Sequence, residues 1–203
     1  MGQHVFCDPK KHRIIFVEGI TDYCYLSAFK LYFNKHNPQF KDNPIPFTFL
    51  PISGLKNDSN KMKETIQKLC ELDNNPIVLT DDDRKCVFNQ KATSERFKKA
   101  NKYLGNPITI LQLSDCDRHF KQIEDCFSAN DRNKYAKNKR MELAMAFKTT
   151  LLYSEQNAIT EETKKNFLKL FEWIKKSVIT QRLKKGISKF DYNTPQILLL
   201  KGF

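Results

Sequence analysis

The residues of this chain that could carry out chemistry are acids that follow short apolar runs. The strongest candidates are Glu18, Asp22, Asp81, Asp83 and Glu124. At the end of a strand, period-two alternation lets Asp81 and Asp83 reach one face, whereas Asp82 points the other way. Carboxylates that converge at one place repel each other unless a cation lies among them. Because hard oxygen ligands suit Mg²⁺ or Mn²⁺ better than zinc, the pattern predicts a divalent-metal site.

Each of these acids also has an ordinary structural explanation. A single glutamate at a strand end, such as Glu18, is usually only solvated. Asp22 can favour the N-terminus of the helix that follows it. A run of three aspartates, here residues 81–83, most often forms a turn or a helix cap. It is their joint placement after successive strands that favours a metal site.

The elements that must position these acids alternate between strand and helix over the first 110 residues. Strands are predicted over residues 13–18, 47–52, 77–80 and 108–113. Helices are predicted over residues 21–33 with Thr21 as N-cap, from a cap within 57–59 to about 72, and over 92–104. This alternation predicts an α/β fold with a mainly parallel four-stranded sheet and right-handed crossovers. Ligands of such sheets bind outside the carboxyl ends of the strands, which is where the acids lie.

The rest of the chain is predicted to be helical, over residues 138–152 and 161–183. The second helix has one apolar stripe, formed by Phe167, Leu170, Phe171, Ile174 and Val178. A last apolar run, residues 197–200, predicts a short edge strand. We therefore expect a catalytic core over residues 1–130, with a basic helical extension over residues 131–203 packed on it.

The positive charge is concentrated in that extension. The chain carries 35 basic and 23 acidic residues, a net charge of +12. Residues 1–130 hold 19 basic and 16 acidic side chains (+3), and residues 131–203 hold 16 and 7 (+9). An excess of this size favours a polyanionic partner, and nucleic acid is the commonest one inside cells. Lysine-rich helices that are merely solvated would give the same excess, so charge alone does not decide.

Composition excludes several classes of protein. With 40% hydrophobic residues, of which many are aromatic, the chain is neither a disordered tail nor a fibre. It has no apolar run of the roughly 18 to 20 residues that span a bilayer, and its first residues lack a signal peptide. We therefore expect a cytoplasmic protein with no membrane partner. Its six cysteines and four histidines are scattered, which argues against zinc and disulfides.

Three motifs resemble those of a known family. The segment Phe16-Val-Glu18-Gly19-Ile-Thr21-Asp22-Tyr-Cys-Tyr-Leu26 resembles the first motif of TOPRIM domains, the metal-binding folds of topoisomerases, bacterial primases and certain nucleases. Ile77-Val-Leu-Thr80-Asp81-Asp82-Asp83-Arg84 resembles their D-x-D motif. Together with Ile123-Glu124-Asp125-Cys-Phe127-Ser128, the set is similar to the OLD (overcoming lysogenization defect) nucleases in particular. The resemblance covers about residues 13–150.

The resemblance implies metal-dependent cleavage of a phosphodiester bond in DNA or RNA, including tRNA. The implied ligands of two Mg²⁺ or Mn²⁺ ions are Glu18, Asp22, Asp81, Asp83 and Glu124, and Asp125 is a lower-ranked candidate. Glu18, Asp81 and Asp83 are also expected to be catalytic. Two such ions activate a water and stabilise the departing oxygen.

The same family uses a lysine to neutralise charge developing on the phosphate. Lys139, which opens the segment Lys139-Arg140-Met-Glu-Leu-Ala-Met-Ala, resembles it, and Lys137 is close enough to compete. Both could equally be solvated lysines. Gly54 and Lys56 follow the second strand, where family members have a glycine-rich turn near the substrate backbone. The predicted nucleic-acid-binding residues are Lys56, Arg84, Lys137 and Arg140.

One departure from the family concerns its ATPase module. No glycine in this chain is followed by lysine, so the phosphate-binding loop G-x-x-x-x-G-K-[ST] is absent from the sequence. The ATPase is then expected to be a separate subunit, or the chain is a detached or truncated effector. By analogy with the family, a stand-alone nuclease of this kind, paired with an ATPase sensor, would serve in bacterial defence against phage, and whether it forms a homodimer is left open.

Two other interpretations remain. The chain could be a non-catalytic TOPRIM-like module that binds nucleic acid or an ATPase partner; this predicts no metal-dependent stabilisation and no turnover. Primase or topoisomerase chemistry is less well supported, because the chain has no zinc-binding cysteine set and no large accessory region with a catalytic tyrosine.

Overall fold

The computed structural model describes residues 13–52, 58–84, 92–153 and 158–184. Four parallel strands form one sheet in the order β2-β1-β3-β4. The strands are β1 (Arg13–Val17), β2 (Phe47–Pro51), β3 (Ile77–Thr80) and β4 (Thr109–Gln112). The predicted α/β class and parallel sheet are confirmed. The predicted edge strand at residues 197–200 lies outside the described residues.

Helices connect the strands and complete the chain. Those within the sheet region are α1 (Ile20–His36), α2 (Pro38–Lys41), α3 (Ser59–Leu72) and α4 (Thr93–Tyr103). Those after β4 are α5 (Leu113–Cys116), α6 (Ala129–Tyr135), α7 (Met141–Tyr153) and α8 (Glu161–Lys184). Two short 3₁₀ turns, Ile123–Cys126 and Lys137–Lys139, flank α6. No helix in the described part of the chain is long and apolar enough to cross a membrane.

Helices cover both faces of the sheet, and alternate residues of each strand point to opposite faces. Phe16 of β1 and Val78 of β3 pack against α3 and α4, through side chains such as Ile66 and Phe97. Ile15, together with its neighbours on the same face, belongs to a larger cluster under α1, α7 and α8. Parallel strands with both faces covered carry nearly continuous apolar runs, which explains why the strands were recognisable in the sequence.

Helix α8 contributes directly to that larger cluster. Its predicted apolar stripe is buried: Phe167, Leu170, Phe171, Ile174 and Val178 are each at most 4% exposed. The rings of Phe29 in α1 and Phe167 in α8 stack with centroids 3.8 Å apart. The C-terminal helices therefore share one core with the sheet.

A buried carboxylate fixes the N-terminus of α8. Asp131 of α6 accepts hydrogen bonds from the Thr160 backbone N–H at 2.9 Å, the Thr160 hydroxyl at 2.7 Å and the Thr163 hydroxyl at 2.5 Å. Burial alone would raise the pKa of Asp131, but these bonds outweigh it and lower the pKa below its usual value. A negative charge at a helix N-terminus is favourable. Asp131 therefore holds the start of α8 against α6.

Two predicted helix starts are wrong. Gly19, and not Thr21, is the N-cap of α1, since the carboxylate of Asp22 accepts the backbone N–H of Gly19 at 3.0 Å. Helix α7 begins at Met141 rather than at residue 138. Asn138 has a φ of 58°, a left-handed conformation that asparagine tolerates but that interrupts a helix.

Candidate active site

Glu18 and Asp81 meet where β1 and β3 end side by side. The register pairs Val17 with Leu79, so the residues that follow these strands leave the same edge of the sheet. The Oε1 atom of Glu18 accepts a hydrogen bond from the Asp81 backbone N–H at 3.0 Å. Acids 63 positions apart in the sequence are thereby brought into contact.

The surroundings of Glu18 strongly disfavour the charged form of its carboxyl group. Burial, together with the negative charge of Asp81, raises its pKa from an ordinary 4.5 to about 8. The charges of Asp22 and Asp83 make smaller contributions to this rise in pKa, and the hydrogen bond from the Asp81 backbone opposes it. Three other predicted site residues therefore lie within electrostatic reach of Glu18 at this edge of the sheet.

Asp22 lies in the first turn of α1 and is only 6% exposed. Its hydrogen bond to Gly19 stabilises the start of the helix, as the structural explanation of this residue predicts. It also contributes to the raised pKa of Glu18, so the two explanations are compatible.

Asp83 holds the N-terminus of α4. Its carboxylate accepts the Thr93 N–H at 2.6 Å, the Ser94 N–H at 3.1 Å and the Ser94 hydroxyl at 2.6 Å. Burial alone would raise the pKa of Asp83, but these hydrogen bonds outweigh it and lower the pKa. Asp83 therefore acts as a cap of α4, as its structural explanation predicts.

Asp82 is 2% exposed and is bound by two cations. The Arg84 guanidinium binds both of its carboxylate oxygens, at 2.7 and 2.9 Å, and the Lys121 Nζ binds one of them at 3.0 Å. Arg84 above all holds the pKa of Asp82 well below its usual range. Arg84 thus has a structural partner, and phosphate binding by this residue stays a prediction.

Glu124 and Asp125 come later in the chain than the other candidate acids. Glu124 lies in the 3₁₀ turn at Ile123–Cys126 and is 1% exposed. Burial raises the pKa of Tyr25 well above its usual range, and the charges of Glu124 and Asp22 add to this effect. Asp125 accepts the Lys121 and Gln122 backbone N–H groups and the Arg132 guanidinium at 2.6 Å, so it stabilises its own turn.

The acidic edge is not arranged as a finished coordination site. Within the described ranges, no group of three or more His, Cys, Asp or Glu side chains has the arrangement needed to hold a metal ion. The chemistry of the donors nevertheless fits a divalent cation, because the raised pKa of Glu18 reflects burial and repulsion among carboxylates that a cation would relieve.

Most of the basic residues predicted to bind nucleic acid either directly precede α7 or lie outside the described residues. Gly54 and Lys56 are outside the described residues. The backbone of Lys139 belongs to the 3₁₀ turn before α7, and its side chain is not among those described. Lys137 and Arg140 are exposed, and Arg140 lies 3.7 Å from Glu142.

Sequence reasoning did not single out Lys148. This lysine of α7 lies 5.6 Å from the ring centroid of Tyr23, beside Asp22 in the chain. It also lowers the pKa of Cys24, although burial of that thiol has the larger and opposite effect. The sequence carried no signal for this contact, because it depends on the packing of α7 against α1.

Comparison with known proteins adds no family to this description. No protein-family model matches the chain, and neither curated proteins nor solved structures gave a match.

Proposed function

We propose that this protein is a divalent-metal-dependent endonuclease with a TOPRIM-like core, acting on DNA or RNA in the cytoplasm. The observation that carries the proposal is the state of Glu18, whose pKa is raised to about 8 by burial and by the neighbouring carboxylates of Asp81, Asp22 and Asp83. Strongly perturbed acids in such clusters are typical of functional sites. The motif resemblance supports the same assignment independently.

Glu18, Asp22 and Asp81 are the residues that would hold the ions, with Asp83 and Glu124 as the further ligands that the resemblance implies. When bound, Mg²⁺ or Mn²⁺ would supply an activated water and stabilise the departing oxygen of the phosphodiester. The chain's own contribution is positional. Asp81 fixes the orientation of the Glu18 carboxylate through its backbone N–H.

Basic residues would bind the phosphates of the substrate. Lys137 and Arg140 are exposed just before α7, the helix that packs on α1 through the contact of Phe147 with Tyr25. Lys139 lies between them in sequence and would neutralise charge on the scissile phosphate. The remaining parts of this proposal are a separate ATPase subunit, possible homodimerisation and a role in anti-phage defence; they rest on the resemblance alone.

Plasmid nicking tests the proposal directly. The wild type should nick supercoiled plasmid in Mg²⁺ or Mn²⁺ and not in EDTA, and Glu18→Gln and Asp81→Asn should abolish nicking. Matched controls are Glu64→Gln on α3 and Asp42→Asn after α2, which remove exposed carboxylates and should nick normally. Undiminished cleavage by both site variants, or cleavage that persists in EDTA, would exclude this assignment.

A second function is favoured by two observations, the lack of a preformed coordination group in the described residues and the engagement of Asp83 by α4. These fit a non-catalytic module that binds nucleic acid or an ATPase partner. That function predicts no rise in melting temperature with Mg²⁺ or Mn²⁺ and no turnover of plasmid, single-stranded DNA or tRNA. A metal-dependent rise that Glu18→Gln removes would decide for the nuclease.

A further inference from the structure

The face of the protein formed by α3 and α4 carries an open groove of about 310 Å³. The groove is lined by Ser59, Lys63, Arg96, Lys99, Ala100 and Tyr103. Three of these six residues are cationic. Grooves that bind single-stranded nucleic acid combine such positive charge with aromatic side chains on which bases stack.

Tyr103 is the aromatic member of the groove and is 75% exposed. The Lys63 Nζ lies 3.8 Å from the centroid of its ring, a cation–π contact. A tyrosine that contributed only to the core would be buried, whereas this ring stands in solvent at the C-terminal end of α4. Lys63 covers one face of the ring, and the remaining exposed ring surface is available to a planar ligand.

The electrostatics of α4 favour an anionic ligand. Its sequence contains four basic residues, Arg96, Lys98, Lys99 and Lys102, and one acid, Glu95. Glu95 is engaged by Lys98 at 3.2 Å and lies 3.6 Å from the Arg84 guanidinium. The one carboxylate of this helix is therefore engaged by two cations, and the helix carries four basic residues against this one acid.

The groove also adjoins the acidic edge of the sheet. Helix α4 begins at Thr93, whose backbone N–H is bound by Asp83. Arg96 lies one turn further along the same helix, and Tyr103 lies at its far end. A strand lying in the groove would therefore lead away from the carboxylates that are proposed to cleave it.

We propose that the groove between α3 and α4 binds a single-stranded segment of nucleic acid, with phosphates on Lys63, Arg96 and Lys99 and an unpaired base against Tyr103. A duplex cannot present a base face to Tyr103 without unstacking, so the groove selects single strands. This inference rests on the proposed nuclease function for its substrate class and adds the form of the strand.

Binding in EDTA tests the groove without cleavage. The probe is a fluorescent single-stranded DNA of about 20 nucleotides, longer than the roughly 4 to 16 nucleotides that single-strand-binding domains cover. Its fluorescence anisotropy is followed alongside that of the matching duplex. Tyr103→Ala should weaken single-strand binding about tenfold, since base stacking on an aromatic ring carries this much affinity. Tyr103→Phe should restore it, and duplex binding should change little in either variant.

A pair of double variants separates the groove from general surface charge. Lys63→Gln with Lys99→Gln should lower the salt dependence of log Kd by about 1.4, because each phosphate contact to a single strand contributes about 0.7. The control, Lys68→Gln with Lys102→Gln, removes the same charge from exposed positions of the same helices outside the groove lining. It should leave the slope nearly unchanged.

The outcomes also distinguish the groove from the nuclease. Equal effects of the two double variants, together with normal binding by Tyr103→Ala, would overturn the groove. An equal loss of duplex and single-strand binding in Tyr103→Ala would overturn the single-strand selection. A wild type that binds single strands through the groove, yet cleaves neither plasmid nor single-stranded DNA in any metal, would contradict the nuclease and leave the groove in place.

Discussion

The Ser94 hydroxyl donates a 2.6 Å hydrogen bond to the carboxylate of Asp83, and this contact joins the end of β3 to the start of α4. The last acid of the D-x-D motif therefore has a structural partner in addition to its proposed role as a metal ligand. These two roles can be separated by mutation, because asparagine also caps helices but carries no charge.

Asp83→Ala should lower the free energy of unfolding by about 1 kcal/mol, the usual loss when a helix cap is removed. Asp83→Asn should keep most of that stability. If Asp83 also binds the metal, Asp83→Asn should nonetheless lose metal-dependent nicking. Urea denaturation and plasmid nicking measure the two effects. Unchanged stability of Asp83→Ala would mean that the carboxylate does not act as a cap.

The raised pKa of Glu18 predicts how stability depends on pH in EDTA. The folded protein binds a proton at Glu18 up to about pH 8, whereas the unfolded chain releases it near pH 4.5. Between these values the folded state binds more protons, so the free energy of unfolding falls as pH rises. Urea denaturation from pH 5 to pH 8 measures this effect. Over this range the free energy of unfolding of the wild type should fall, relative to that of Glu18→Gln, by about a few kcal/mol.

The control for this experiment is Glu64→Gln on α3, which should parallel the wild type at every pH. Adding Mg²⁺ or Mn²⁺ at pH 8 should restore the wild type and leave Glu18→Gln unchanged, because a ligand that binds only the folded state stabilises it. A difference between wild type and Glu18→Gln that does not vary with pH would contradict the predicted titration.

Asp131→Asn should destabilise the protein by about 2 kcal/mol, since hydrogen bonds to a buried charged group contribute roughly this much. The lowered pKa of Asp131 adds a pH signature. Its contribution is present in full above about pH 4, the ordinary value of an aspartate, and is lost as pH falls through the lower folded-state value. Asp115→Asn, at an exposed position of α5, is the control. Urea denaturation at pH 7 and pH 3 should show a difference that shrinks in acid.

Phe167→Ala should cost about 3 to 5 kcal/mol, the range for removing a buried aromatic side chain. The expectation follows from the stacking of Phe167 on Phe29, which makes α8 part of the sheet's own core. One cooperative unfolding transition, followed by circular dichroism and tryptophan fluorescence, should shift as a whole. Early loss of α8 in a separate transition would show that the helix is an independent unit.

The central strands were the most predictable from sequence, because their short apolar runs are buried on both faces. Ile77–Thr80 was predicted at its observed bounds for this reason. Helix starts were harder, since they depend on which neighbouring polar group satisfies the first backbone N–H groups. Asp22 caps α1 from inside the helix, and a single left-handed residue, Asn138, delays α7. Neither effect produces a periodic signal.

For the candidate site, the sequence could indicate which acids follow strands but not what each carboxylate contacts. The pairing of β1 with β3 depends on sheet order, which brings Glu18 to Asp81 across 63 positions. The contacts of Asp83 with Ser94 and of Arg84 with Asp82 depend on side-chain conformations in the folded backbone. The sequence pattern does not specify these conformations. The groove residue Tyr103 was missed because its exposure is a property of the packed helices.

The parallel pairing of β1 with β3 has a consequence for the order of events during folding. Joining two segments so far apart in sequence requires closure of a long loop, which is slow compared with local helix formation. Until that pairing is complete, Glu18 and Asp81 belong to separate parts of the chain and no acidic edge exists. An incompletely folded molecule therefore has no assembled acidic edge. Any activity of this edge requires the completed sheet.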